Sequence, residues 1–433
     1  MSLRTGLLLP ATVRTWLFDL VQSIPARSVA TLLELLFGMM LSERGMISQA
    51  ILAITPRCGW QAYYWFVEHA RFPWIRLVHG LCGIVDREFP EPRRFLIIDD
   101  TIILRCSPKA PDAAVRFDHV KRTNRPRHML CQVLVTLSAS IIDCAGAFRA
   151  VPLLSLPVKA EGNPGKLSIA QALLGTLAPR FAATTLLVDA WYMRRRLVLW
   201  ATAHGIAVIG QIRRDSALFH IPAPPARRGR GRPRKYGMRI TKDVLDALPV
   251  SETVIAAYGR SMMRWCAVSC RPRFLSGLEV RVVRVAMKTT TGWTKDRLLL
   301  STDTALSDED IIIGYSRRWP TEPLFRNIKQ GEGFREMWMQ TRKTLIRWLH
   351  IVQTAAALTI MLAARRDPEL EALARIGGWR KETRLATPGL VKNALAAAFR
   401  YLPPLPLLGI ATRSLPKNRC PATTGPPTAA RAA

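Results

Sequence analysis

Phe95-Leu96-Ile97-Ile98-Asp99-Asp100-Thr101 is the stretch on which the reading of this chain turns. Four apolar residues in a row, with no polar alternation, describe a strand buried on both faces. The two carboxylates that follow place acid at its tip. Thr185-Leu186-Leu187-Val188 repeats the pattern and again ends in acid, at Asp189. Between them lie two strand-like runs, His128 to Ile142 and Phe148 to Val158, joined by a hairpin at Asp143 to Gly146, and then an amphipathic helix over Ile169 to Leu177. Beyond Asp189, Trp191 to His204 reads as a helix closed by Gly205, and Ile206 to Ile212 as a further strand. Strand, hairpin, helix, strand, helix, strand is the order of an α/β mixed sheet with helices packed on it. Both acids then stand at strand ends, where open α/β sheets hold ligands.

Outward from this core the pattern changes on both sides. Residues 1–92 carry apolar residues at helical offsets, punctuated by Pro56, Pro73 and Pro90, and read as a helical N-terminal DNA-binding domain. The first part of the core is expected over 93–214. A basic, proline-containing segment follows, with Arg230, Arg232, Arg234 and Lys235 in the run Arg230-Gly231-Arg232-Pro233-Arg234-Lys235. From about 250 to 303 the chain is β-rich, so 215–304 is expected to be a basic loop and an inserted β domain. Ser307-x-x-Asp310 marks a helix start. That helix is expected to bend near Trp319 to Thr321, because Pro320 and Pro323 interrupt the hydrogen-bond ladder, and to resume through Lys329 within 305–345. A helical region follows over 346–402, with a disordered tail from 403 to 433.

The 433 residues include 63 Lys and Arg against 31 Asp and Glu, a formal charge of +32. Such a field attracts polyanions and points to nucleic acid. The longest apolar runs, 30–41 and 351–364, fall short of the roughly 20 residues that span a bilayer, which argues against a membrane partner. The eight cysteines form no Cys-x2-Cys pair and fit a reducing cytoplasm.

Within this basic chain, Tyr315, Arg318, Glu322 and Lys329 are spaced by three, four and seven residues, which puts them near one helical stripe. A phenol, two cations and a carboxylate make a poor core face. Together with Asp99 or Asp100 and with Asp189, Glu322 completes a set of acids that repel one another unless cations join them. Mg²⁺ is held by one or two carboxylates with phosphate and water oxygens, and two such ions suit in-line phosphoryl displacement. Arg318 can grip phosphate bidentately and Lys329 supplies a point charge. Taken singly, each residue has a plainer reading. A strand-end Asp is usually a turn residue or a cap, Glu322 can pair with Arg326, and Tyr315 and Trp319 can be core aromatics.

The run Tyr315-x2-Arg318-x3-Glu322-x6-Lys329 resembles, without a gap, the signature of the YREK group of DDE transposases of bacterial insertion sequences, the group typified by insertion sequence four. Asp99-Asp100-Thr101 and Val188-Asp189-Ala190-Trp191-Tyr192 are similar to the contexts of that family's two aspartates, with Asp99 in register. Over about 93 to 340 the resemblance implies an RNase H-like fold with a β-rich insertion. It implies Asp99, Asp189 and Glu322 as catalytic ligands of two Mg²⁺ (or Mn²⁺) ions, with Asp100 as the alternative to Asp99. It also implies Tyr315, Arg318 and Lys329 as DNA contacts, and a homodimer on double-stranded DNA, both terminal inverted repeats and target. Trp293 is a candidate to stack on a flipped base or a packing residue of the insertion. The Arg230–Arg234 loop resembles an AT-hook core for a narrow minor groove, or else contacts phosphate. The activity implied is cleavage of transposon ends and strand transfer. Two alternatives stay open, a non-catalytic regulator derived from a transposase and a nuclease of the same fold that only hydrolyses.

Overall fold

The computed structural model describes residues 8–117, 126–159, 164–223, 234–374 and 387–411. Five helices come first: α1 (Ala11–Val21), α2 (Ala26–Leu41), α3 (Ile47–Leu52), α4 (Trp60–His69) and α5 (Trp74–Glu88). α2 is apolar around nearly its whole circumference and is buried accordingly. Its one carboxylate, Glu34, is buried with it. The Tyr63 hydroxyl and the Arg57 backbone N–H both donate to Glu34, each at 2.9 Å, while burial pushes its pKa up.

The core follows as β1 (Arg94–Leu104), β2 (Ala114–Phe117), β3 (His128–Ile142), β4 (Phe148–Pro157), α6 (Pro164–Leu177), β5 (Thr184–Val188), α7 (Arg195–Ala203) and β6 (Ala207–Ile212). β1 runs antiparallel to β3 and parallel to β5, and β5 runs parallel to β6. This is the expected mixed α/β sheet. With helices at both termini and the strand order around β1, it is consistent with an RNase H-like fold. Leu96, Ile97, Ile98, Leu186, Leu187 and Val188 are fully buried, as unbroken apolar runs in central strands must be.

The insertion comprises β7 (Leu218–Phe219), β8 (Arg239–Ile240), α8 (Lys242–Asp246), β9 (Ser251–Ile255), β10 (Ser261–Pro272), β11 (Val280–Thr289), β12 (Gly292–Trp293) and β13 (Arg297–Ser301). It is not a body apart from the core. β13 pairs with β11 on one side and with β6 on the other, from Leu298↔Ile212 to Ser301↔Ile209, so the core sheet continues into it. The exposed edge of β6 is thereby covered. The basic segment expected to be extended begins and ends as the short ribbon β7–β8. Arg230 and Arg232 lie outside the described residues.

The chain then forms α9 (Asp308–Ser316), α10 (Thr321–Gln330), α11 (Arg342–Arg365), α12 (Pro368–Ala374), α13 (Pro388–Phe399) and α14 (Pro404–Leu407). Ser307 caps α9 through the Asp310 N–H, and Pro320 stands at the start of α10, so the bend falls where the prolines place it. The expected tail from 403 needs correction at its start. Leu405 and Leu407 are buried, and the Leu407 carbonyl accepts from the Leu9 N–H. The rest of that tail, 412–433, lies outside the described residues. The helix expected from Trp191 begins only at Arg195, because Asp189 holds residues 191 and 192 in a turn.

By length and composition α11 could cross a membrane, contrary to the reading of 351–364 as too short, yet 94% of its most apolar window is buried inside the protein. It packs between β4 and the N-terminal helices. His350, fully buried on α11, donates from Nδ1 to the Ile346 carbonyl at 2.6 Å, accepts the Ser155 N–H at Nε2 at 3.4 Å, and stacks on Trp74 at 4.3 Å. Burial lowers its pKa to about 4. The unfolded chain therefore binds this proton more tightly than the folded one. The contribution is fully present above the ordinary value near 6.5 and is lost as pH falls through the window down to 4, by up to about 3 kcal/mol. Urea unfolding across that window is expected to show His350→Gln losing less stability on acidification than the wild type. Parallel pH profiles for the two proteins would exclude this role.

Candidate active site

The β1–β5 ladder ends with the pair Ile98↔Val188. Asp99 and Asp189 are the next residues along the chain, each one step beyond the last backbone pair. Each has one carboxylate oxygen held locally. Asp99 Oδ1 accepts the Asp100 N–H at 2.8 Å. Asp189 Oδ1 accepts the N–H groups of Trp191 and Tyr192, each at 3.0 Å. Burial pushes the Asp99 carboxyl up to about 7, and Asp189 adds to the rise while Arg318 opposes it.

Arg318 follows α9 in the bend and arrives over this pair. Its Nη1 lies 3.1 Å from Asp99 Oδ2, and its Nη2 lies 3.7 Å from Glu322 Oε1 one turn on. Glu322, half exposed in the first turn of α10, thus joins Asp99 through a guanidinium instead of standing beside it. The Arg326 pairing considered from sequence is not the one formed. Tyr315 is buried on α9, where burial raises its pKa, and its ring lies 5.7 Å from the Arg318 guanidinium. It also walls an apolar cavity of about 350 Å³ with Tyr258, Met263, Val285 and Trp319, between α9 and the insertion strands. Lys329 is half buried in the last turn of α10.

The two adjacent acids face opposite ways, as residues alternating along a strand do. Asp99 meets Arg318, whereas Asp100 accepts from Lys166 Nζ at 2.8 Å and from the Tyr192 hydroxyl at 3.0 Å. Trp293 is half buried under the Arg264 guanidinium, 4.6 Å from its ring centre, and the exposed aromatic beside the stripe is Trp319. Arg234 and Lys235 are exposed at the β7–β8 end, where Lys235 offers its carbonyl to Arg271.

The donor set can be tested against a divalent metal. Asp99, within β1, and Asp189, just after β5, are hard oxygen donors where the two strands part; their charges disfavour one another, and Asp189 Oδ2 has no hydrogen bond among the described residues. Two such carboxylates fit Mg²⁺ or Mn²⁺. The third ligand is not gathered in: among the described residues no three His, Cys, Asp or Glu side chains stand close enough to hold an ion. The expected three-acid cluster is therefore a pair plus Glu322 across Arg318.

Sequence reasoning missed Arg317. It is buried, binds both Glu91 oxygens at 2.6 and 2.8 Å, and lies over the rings of Phe95 (4.1 Å) and Phe148 (4.8 Å). It fastens the bend that carries Arg318 to the strands that carry Asp99. Its proximity to a stripe residue was visible, but Glu91 is distant in sequence, so no local signal named the pair.

No curated protein matches the chain. A family described as DDE superfamily endonuclease matches residues 19–272, more than half of the sequence, a span that contains Asp99 and Asp189 and ends before Tyr315. Members of that superfamily generally use divalent metals. With two acids at the point where adjacent parallel strands part, a mixed sheet behind them and this match across the greater part of the chain, the protein belongs to the DDE superfamily of endonucleases.

Proposed function

We propose that this endonuclease is a transposase of the YREK group, which binds the terminal inverted repeats of its element, cleaves the ends and joins them to target DNA. The observation that carries the reading is the row Asp99, Arg318, Glu322, with Asp189 following the strand paired to that of Asp99. It reunites the signature at 315–329 with the two aspartates. Asp99, Asp189 and Glu322 would hold Mg²⁺ or Mn²⁺, two ions per site. Bound there, the metal supplies Lewis-acid polarisation of the phosphoryl oxygens and an activated water.

The chain's own groups do the rest. Arg318 already lies between two carboxylates, so a phosphate entering the site takes over a guanidinium that is ordered and dry on one side. Tyr315 backs it, and Lys329 meets a neighbouring phosphate along α10. The charge of +32 drives approach to DNA and makes binding steeply salt-dependent. Two ends held at once call for a homodimer on DNA. Arg234 and Lys235, with Arg230 and Arg232, supply backbone or minor-groove contacts.

The test is Mg²⁺-dependent cleavage of a duplex carrying the element's ends, followed by joining to a plasmid. Glu322→Gln is expected to abolish both reactions while leaving end binding within about threefold of wild type, since a half-exposed carboxylate adds little to phosphate affinity. Cleavage that survives Glu322→Gln removes Glu322 from the site. Cleavage without joining by the wild type gives the hydrolytic nuclease, and specific binding without cleavage gives the regulator.

A further inference from the structure

β1 and β5 stop pairing at Ile98 and Val188, one residue before the acids. Beyond that point β1 keeps only β3 as a partner, out to Leu104, while the chain after β5 turns away. Backbone hydrogen bonds therefore do not fix the distance between Asp99 and Asp189. A closed ring of side-chain contacts spans the gap. The Tyr192 N–H donates to Asp189 Oδ1, and its hydroxyl donates to Asp100 Oδ1 at 3.0 Å. Asp100 Oδ2 accepts from Lys166 Nζ at 2.8 Å. Lys166 lies 4.9 Å from the centre of the Trp191 ring, and the Trp191 N–H returns to Asp189 Oδ1. Tyr192 is fully buried, and its ring meets that of Trp191 edge-on at 4.8 Å.

We infer that Tyr192, Asp100 and Lys166 form a clamp that sets the spacing of the Asp99–Asp189 pair, with Tyr192 as the positioning residue that touches both acid-bearing segments. Asp100 points away from Asp99's partners, so its role is to anchor. Lys166 balances its charge beside two further carboxylates. The clamp rests on the reading that Asp99 and Asp189 receive the metal. Residues that orient metal ligands typically change affinity by roughly 10- to 100-fold when removed.

The experiment titrates the full chain with MnCl2 and reads free Mn²⁺ by electron paramagnetic resonance, recording the thermal midpoint of each variant alongside. Wild type is expected to show a site that Asp189→Asn removes. Tyr192→Phe and Asp100→Ala are each expected to weaken it by roughly 10- to 100-fold. The double variant Asp100→Asn, Lys166→Met keeps the local charge sum and an acceptor for the Tyr192 hydroxyl, and is expected to stay within about threefold of wild type. A merely structural role would move the thermal midpoints and leave Mn²⁺ affinity alone. Wild-type affinity in Tyr192→Phe, with the site still lost in Asp189→Asn, overturns the clamp but not the metal reading. Weakening in Asp100→Ala that Tyr192→Phe does not share assigns the effect to charge and also overturns the clamp. A wild type with no Mn²⁺ site sensitive to Asp189→Asn overturns the metal reading and the clamp together.

Discussion

Asp189→Asn is expected to lower metal-dependent cleavage of end-bearing DNA by about a thousandfold, roughly 4 kcal/mol of transition-state stabilisation. The substitution is informative because it is gentle on the fold. An Asn oxygen still accepts the N–H groups of Trp191 and Tyr192, so the turn after β5 persists. What is lost is the charge and the free oxygen at the strand tip. Asp99→Asn should be equally damaging to activity but less clean, since it also releases Arg318. Single-turnover nicking with saturating Mg²⁺ gives the rate, and circular dichroism gives the thermal midpoint. Asp189→Asn cleaving within tenfold of wild type would sink the assignment of Asp189 to the reacting centre.

Arg317→Leu is expected to be the most destabilising single change near the site, at about 3 to 5 kcal/mol. The cost lies less in the lost attraction than in what remains. Glu91 keeps a buried charge with no cation, Ser140 loses a donor at 3.2 Å, and two aromatic faces lose the guanidinium between them. Burial lowers the Arg317 pKa while Glu91 opposes that fall, which is the signature of a charge kept in place by its partner. The double variant Arg317→Leu, Glu91→Leu is expected to recover much of the loss, because removing both charges avoids the orphan. Urea midpoints for the two single variants and the double one measure the coupling. A single variant within about 1 kcal/mol of wild type would place Arg317 at the surface energetically, against its burial. Because Arg317 and Arg318 are adjacent, the same variant is also expected to reduce cleavage at temperatures where it remains folded.

Much of the architecture was legible along the chain, for a definite reason. Strands buried on both faces must be apolar throughout, so Phe95–Ile98 and Thr185–Val188 declared themselves; β5 ends at its acid as expected, whereas β1 runs on past Asp99 to Leu104 against β3. The α9–α10 bend was written in Pro320 and Pro323, and the start of α9 in Ser307. The continuity of the insertion with the core was not legible. A strand's sequence shows that it is half buried but not which edge it joins, and β13 joins β6 through backbone groups that every residue shares. The same limit applies to Leu405 and Leu407, whose segment looked like a tail because its buried face is short.

At the site, sequence alone determined which residue types were available: two acids that follow buried apolar runs, a carboxylate in a basic stripe, and their order. Those follow from local chemistry, because spacing along one helix or one strand fixes a shared face. Only the tertiary structure decided which neighbour each acid meets. Asp99 faces Arg318 while Asp100 is turned to Tyr192 and Lys166, and Glu322 reaches Asp99 through a guanidinium. Arg317 finds Glu91 across a separation that no local pattern spans. The physical reason is that a side chain's charge is written in its own position, whereas its partner is set by how distant elements pack, and buried charges are stable only where that packing supplies a counter-charge.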